Sequence, residues 1–172
     1  MKKFVLLGLS GIALMAFIAG GYETVKTVST IRYLDLIRKV KRENGLEEIP
    51  DDLTLATIDT ESSFNPNAIR EEPQINDASY GLMQILYGTA QEVGYSGDPS
   101  GLFDPETNIL YGTKYQLKLY RRFNDFDAVI HAYNEGPGNY NKGKRVPVYY
   151  GKVTAQRAKW AALLLSSGEI AG

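Results

Sequence analysis

From Phe4 to Gly21 the chain carries no charged residue, and Lys2 and Lys3 stand directly before this run. That layout divides the protein before any other reading begins. A basic start followed by an apolar stretch is the pattern of a signal peptide or a signal anchor. The run is close to the shortest that spans a bilayer as a helix, about 18–20 residues. Leu6 to Leu9 and Ile12 to Ile18 are apolar on all sides, which argues against a half-buried core helix. Ala19-Gly20-Gly21 offers a poor cleavage site, so the retained anchor is preferred. Residues 1–21 are therefore expected to be a signal anchor, with cleavage and secretion as the alternative. Lysines at the start place the remainder outside the cytoplasm, on the periplasmic side.

Residues 22–45 read as a helix, a stalk or the first helix of the domain. Val25, Val28, Ile31, Leu34, Ile37 and Val40 recur at threes, and Gly45 suits a stop. From Leu34 onward this stripe is expected to pack on the domain. Residues 46–166 read as one compact domain, and 167–172 as a tail. Pro50-Asp51-Asp52 is expected to open a short helix, with an aspartate as N-cap. That helix carries Leu53, Leu55 and Ile58 and ends near Glu61. Residues 65–80 read as a polar loop. Asp104-Pro105-Glu106 is a strong helix start, and the helix should reach about Arg122. A helix over roughly Asp125–Asn134 stops at Gly136-Pro137-Gly138. A last one follows Pro147, with Val153, Trp160 and Leu164 on one face. Strand signals are few, so the fold class is mainly α with minimal β structure.

Several chemistries drop out. There is no cysteine and only one histidine, His131, so no thiolate or multi-histidine metal site is expected. The net charge of −1 gives no electrostatic case for nucleic acid. His131 is expected to pack or to pair with Asp127, one turn earlier.

Glu61 is the residue with a physical case for catalysis. It ends a helix with an apolar face, where partial burial and the negative end of the helix dipole both disfavour the carboxylate. A carboxylic acid kept protonated is what cleavage of a glycosidic bond requires. From position alone, an ordinary surface glutamate at a helix end is the commoner case.

Three further segments bear on that choice. Glu61-Ser62-Ser63-Phe64-Asn65-Pro66-Asn67-Ala68, Ser79-Tyr80-Gly81-Leu82-Met83-Gln84 and Ala132-Tyr133-Asn134-Glu135-Gly136-Pro137-Gly138 resemble, in order and spacing, three motifs of the soluble lytic transglycosylase catalytic-domain family. Leu102 to Ile109 and Pro147 to Val153 resemble two more of its segments. The resemblance covers about residues 46–155. It implies a lysozyme-like (goose-type/lytic transglycosylase) helical domain with a cleft. It also implies a peptidoglycan lytic transglycosylase that forms 1,6-anhydromuramyl ends, with no metal and no cofactor.

Carried over position by position, Glu61 is the implied single acid/base. Ser62 and Gln84 are implied to hydrogen-bond near the reacting sugar, and Met83 to pack on a sugar face. Tyr133 is implied to orient Glu61 or the N-acetyl group, and Asn134 to shape the cleft. Tyr149 matches the family's late tyrosine. Gly81 stands with the substrate-binding residues, although turn geometry is the plainer role for it. The chain departs from the family at Glu135, expected to face solvent, and over residues 70–77. That segment lengthens the link between two motifs and either borders the cleft or is solvated surface. A hydrolytic lysozyme of the same fold, or a non-catalytic glycan-binding module of a secretion or phage assembly, are the alternatives.

Overall fold

The computed structural model describes residues 21–166, with side chains from Arg32 onward. The expected anchor over residues 4–21 therefore lies outside the described residues except for the backbone of Gly21. Among the described residues no helix is long and apolar enough to cross a membrane.

Seven helices and one small sheet make up the described residues. Helix α1 spans Gly21–Asn44 and α2 spans Asp51–Ser62. Leu34, Ile37 and Val40 are buried, and α1 packs on α2 here. The junction is ionic as well as apolar. Lys41 is almost fully buried and donates from Nζ to the Ile49 carbonyl at 2.7 Å and to Asp51 Oδ1 at 2.9 Å. Arg38 Nε donates to Asp51 Oδ2 at 2.9 Å. Neither Asp51 nor Asp52 is thus the N-cap expected from sequence. Pro50 holds that position without a side-chain bond, and two cations from α1 take up the Asp51 carboxylate. A buried ammonium left without a carboxylate costs more than a lost cap, so this pairing prevails.

Residues 65–80 are not simply the loop expected of a polar stretch. Strands β1, Ile69–Glu72, and β2, Asp77–Tyr80, form an antiparallel hairpin around a 3-10 turn at Pro73–Ile75. Ile69 pairs with Tyr80 and Glu72 with Asp77. A two-residue strand β3, Ile85–Leu86, completes the sheet in the order β1-β2-β3. Charged residues fill β1, whose side chains are mostly exposed, so no alternation of apolar residues announces it.

Helix α3 is Tyr87–Glu92 and α4 is Pro105–Phe123. Asp104 caps α4 by accepting from the Thr107 N–H at 2.8 Å. Helix α5, Phe126–Glu135, starts on Asp125 in the same way. A short α6, Pro137–Asn141, leads to α7, Pro147–Ser166. Helix α7 buries Val153, Trp160 and Leu164 and lies along α2. Phe64 anchors the exit from α2: its ring stacks on Tyr33 at 5.8 Å and meets Trp160 edge-on at 5.8 Å. Ser63 and Phe64 both have positive φ, 50° and 65°. Burial of the aromatic ring offsets that local strain.

Candidate active site

The close packing of α2 on α7 sets the site. Glu61 sits in the last turn of α2, and Tyr149 in the first turn of α7. The Tyr149 hydroxyl donates to Glu61 Oε1 at 2.6 Å. Burial pushes the Glu61 carboxyl above its ordinary pKa, while the Tyr149 hydrogen bond and the positive charge of Arg70 hold it back. Burial also raises the Tyr149 phenol well above its ordinary range, and the neighbouring Glu61 charge adds to this. Tyr149 therefore remains a donor at any ordinary pH.

These two residues open onto a cleft of about 530 Å³. Thr60, Asn134, Val146 and Pro147 contribute to its walls, along with Arg70, Arg145 and Lys152. Glu61 is the one carboxylate among the lining residues. In the neutral form Oε1 accepts from Tyr149, which leaves the carboxyl proton on Oε2. Such an acid, beside an open cleft, is equipped to protonate a leaving oxygen and then to take a proton back.

The sequence matches the Transglycosylase SLT domain family over residues 38–149. This chain belongs to that family. It is 39% identical over 123 residues to membrane-bound lytic murein transglycosylase C of Shigella sonnei (strain Ss046), covering 63% of this chain and 32% of the relative. The chain thus spans about a third of the length of the curated relatives it matches. The 70 kDa soluble lytic transglycosylase from Escherichia coli superposes with a TM-score of 0.54 at 32% identity, over 73% of this chain and 22% of that one. A complex of the 70 kDa soluble lytic transglycosylase with bulgecin A gives a TM-score of 0.56 at 30% identity, over 78% and 21%.

Within this SLT domain the residues singled out from sequence fall into two groups. Glu61, Tyr149 and Asn134 meet at the cleft. Ser62 is half-buried beside them, its hydroxyl donating back to the Ile58 carbonyl at 3.1 Å. The second group stands behind the site. The Met83 side chain is fully buried and packs against Gly112, so it does not offer a face to a sugar. Tyr133 does not hold Glu61. Its hydroxyl donates to the Met83 carbonyl at 2.9 Å, and Tyr149 takes the orienting role expected of it. Gly81 is buried with φ +69°, and a Cβ there would collide with Asn108 and the Leu102 carbonyl. That geometry makes it a turn residue. Gln84 closes the same turn, its Nε2 donating to the Ala68 and Gly81 carbonyls at 3.1 and 3.0 Å.

Asn108, to which sequence reasoning gave no role, organises that turn. Its Oδ1 accepts from the Met83 N–H at 2.8 Å, and its Nδ2 donates to the Tyr80 and Leu102 carbonyls at 2.8 and 2.7 Å. The available signal was its position one turn into the helix that Asp104-Pro105 starts. Glu135, expected to face solvent, is half-buried and does not line the cleft. His131 packs, which is one of the two roles expected of it. Its ring stacks on Tyr150 at 4.7 Å, and its Nδ1 accepts from the Val146 N–H at 3.2 Å. It braces the chain that leads into Tyr149. Arg70 brings the start of the 70–77 segment to the cleft border, one of the two places expected for it. Arg145 and Lys152 had no role from sequence, because exposed cations carry no periodicity that marks them.

Proposed function

We propose that this domain is a peptidoglycan lytic transglycosylase that cleaves the β-1,4 bond between N-acetylmuramic acid and N-acetylglucosamine. Glu61 on its Tyr149 donor carries the reading, as the one carboxylate lining the cleft. The protonated Glu61 gives its proton to the leaving oxygen as the bond to C1 of the muramyl unit breaks. The substrate's acetamido group stabilises the developing cation, so no second protein carboxylate is needed. The Glu61 carboxylate then takes the proton of the C6 hydroxyl, and that oxygen bonds to C1. The product is a 1,6-anhydro end, and Glu61 is protonated again. Relatives named lytic murein transglycosylase support the substrate class.

A hydrolytic lysozyme with a second catalytic carboxylate is less well supported. Asp59 is buried beside Lys159, and neither Asp59 nor Glu135 lines the cleft. Residues 46–166 form the proposed catalytic unit, with 22–45 as its first helix. We take the uncharged run from Phe4 to Gly21 as a membrane anchor that leaves the catalytic unit outside the cytoplasm. The Shigella sonnei relative is named as membrane-bound, which supports this. Clearing of a peptidoglycan suspension tests the activity: the wild type should clear it, and Glu61→Gln should leave it turbid. Full clearing by Glu61→Gln would overturn the reading.

A further inference from the structure

The chain as a whole is nearly balanced in charge, with 19 Lys and Arg against 20 Asp and Glu. Its cleft is not. Arg70 on β1, Arg145 before α7 and Lys152 one turn beyond Tyr149 all line the cavity that Glu61 opens onto. Glu61 is the one carboxylate set against these three cations, so the cavity lining carries an excess of positive charge. From Gly136 to Val153 the chain contains Lys142, Lys144, Arg145 and Lys152 and no acidic residue at all.

Two of the lining cations are held in place with donors to spare. Arg145 Nη1 donates to the Tyr140 and Lys144 carbonyls at 3.0 and 2.8 Å, and its guanidinium sits 3.8 Å over the Tyr140 ring. Arg70 Nε donates to Glu72 Oε1 at 2.6 Å, and Glu72 in turn accepts from Gln74. Each guanidinium has five N–H donors, so both retain several for a ligand. A pre-organised guanidinium fork matches a carboxylate. Lys152 is exposed and adds a third charge.

We propose that Arg70, Arg145 and Lys152 form a carboxylate-reading site beside Glu61, which selects the acidic muramyl unit over neutral N-acetylglucosamine polymers. The inference rests on the peptidoglycan reading above. The carboxylate has two sources, the lactyl group of the sugar and the stem peptide attached to it. A carboxylate docked on Arg70 has a further effect. It cancels one of the two influences that hold the Glu61 pKa down, so binding itself favours the protonated acid.

The test uses the Glu61→Gln protein, which is expected to bind without cleaving. Its affinity is measured at low salt for three labelled tetrasaccharides: peptide-bearing glycan, the same glycan stripped of peptides, and neutral N-acetylglucosamine tetramer. Both carboxylated ligands binding alike and tighter than the neutral one assigns the lactyl group. Tighter binding of the peptide-bearing ligand alone assigns the stem peptide. In either case Arg70→Gln, Arg145→Gln or Lys152→Gln in that background should each narrow the preference by about 3- to 10-fold. Equal affinity for all three ligands, or variants that weaken all three alike, would overturn the proposal. If the wild type cleaves no peptidoglycan and the Glu61→Gln protein binds none, the peptidoglycan reading itself falls.

Discussion

Tyr149 and Glu61 stand 88 positions apart in the chain, and the tyrosine hydroxyl donates to the glutamate Oε1 at 2.6 Å. The contact exists because the first turn of α7 lies against the last turn of α2. It does two things to Glu61. It fixes the carboxyl in one orientation, and it favours the charged form, partly opposing the effect of burial.

Removing the hydroxyl separates these effects. Tyr149→Phe leaves burial unopposed by that hydrogen bond, so the Glu61 pKa moves further up. The alkaline limb of kcat/KM reports loss of the catalytic acid's proton, and it should shift to higher pH. Loss of orientation should lower kcat about 10- to 100-fold, the equivalent of ~1.5–3 kcal/mol for a hydrogen bond to a charged group. Rates on soluble glycan across a pH series check both. A lowered kcat with an unmoved limb would mean that Tyr149 shapes the wall without touching the titration of Glu61.

Glu61 should cost the fold stability above its unfolded pKa, near 4.5. The folded-state value is raised, so between the two the folded protein binds the extra proton. Stability from this group is then fully present at low pH and falls as pH rises through that window. Glu61→Gln has no such group, yet its amide oxygen can still accept from Tyr149. It should melt about 2–4 °C above the wild type near pH 8, the shift expected for ~1 kcal/mol in a chain of this size. The gap should close near pH 4. Thermal melts at the two pH values decide it.

Asn108 holds the Gly81–Gln84 turn from behind. Asn108→Ala would leave the buried Met83 N–H, the buried Leu102 carbonyl and the half-buried Tyr80 carbonyl without their partner. A destabilisation of about 3 kcal/mol or more follows from ~1–3 kcal/mol for each unsatisfied group. Urea unfolding measures it. A change below about 0.5 kcal/mol, typical of surface sites, would show that water replaces the side chain.

His131 should make the Tyr149 wall acid-sensitive. Its Nδ1 accepts from Val146, which a protonated ring cannot do. Burial lowers its pKa and the Arg145 charge adds to this, while Asp127 and Asp125 act in the opposite direction. A depressed folded-state pKa contributes stability that is present above the unfolded value, near 6.5, and is lost as pH falls through the folded one. His131→Gln should therefore flatten the decline in melting temperature between about pH 7 and about pH 5 relative to the wild type. Parallel melting curves for the two proteins over that range would remove His131 from this role.

Much of the helical frame was legible in the residues. Asp104-Pro105 and Asp125 carry local capping chemistry, and the α7 stripe of Val153, Trp160 and Leu164 is periodic. The hairpin of β1 and β2 was not legible, because Arg70, Glu71 and Glu72 face largely outward and their pairing with β2 is backbone chemistry. Glu61 and Tyr149 were readable as motif members, but their contact depends on how two helices pack. Met83, Gly81 and Tyr133 show the limit of motif reading. Met83 and Gly81 sit in the right segment, yet they are buried in the turn behind the cleft, and the half-buried Tyr133 bonds to that turn and not to Glu61. Lys41 and Asp51 show a related limit, since a partner from α1 displaced the local capping role.

Mass analysis of glycan digested by the wild type and by Glu61→Gln tests the central claim most directly. The account predicts 1,6-anhydromuramyl ends, each lighter by one water than a reducing end, from the wild type and no new ends from Glu61→Gln. Reducing muramyl ends from the wild type, or anhydro ends at an undiminished rate from Glu61→Gln, would contradict it.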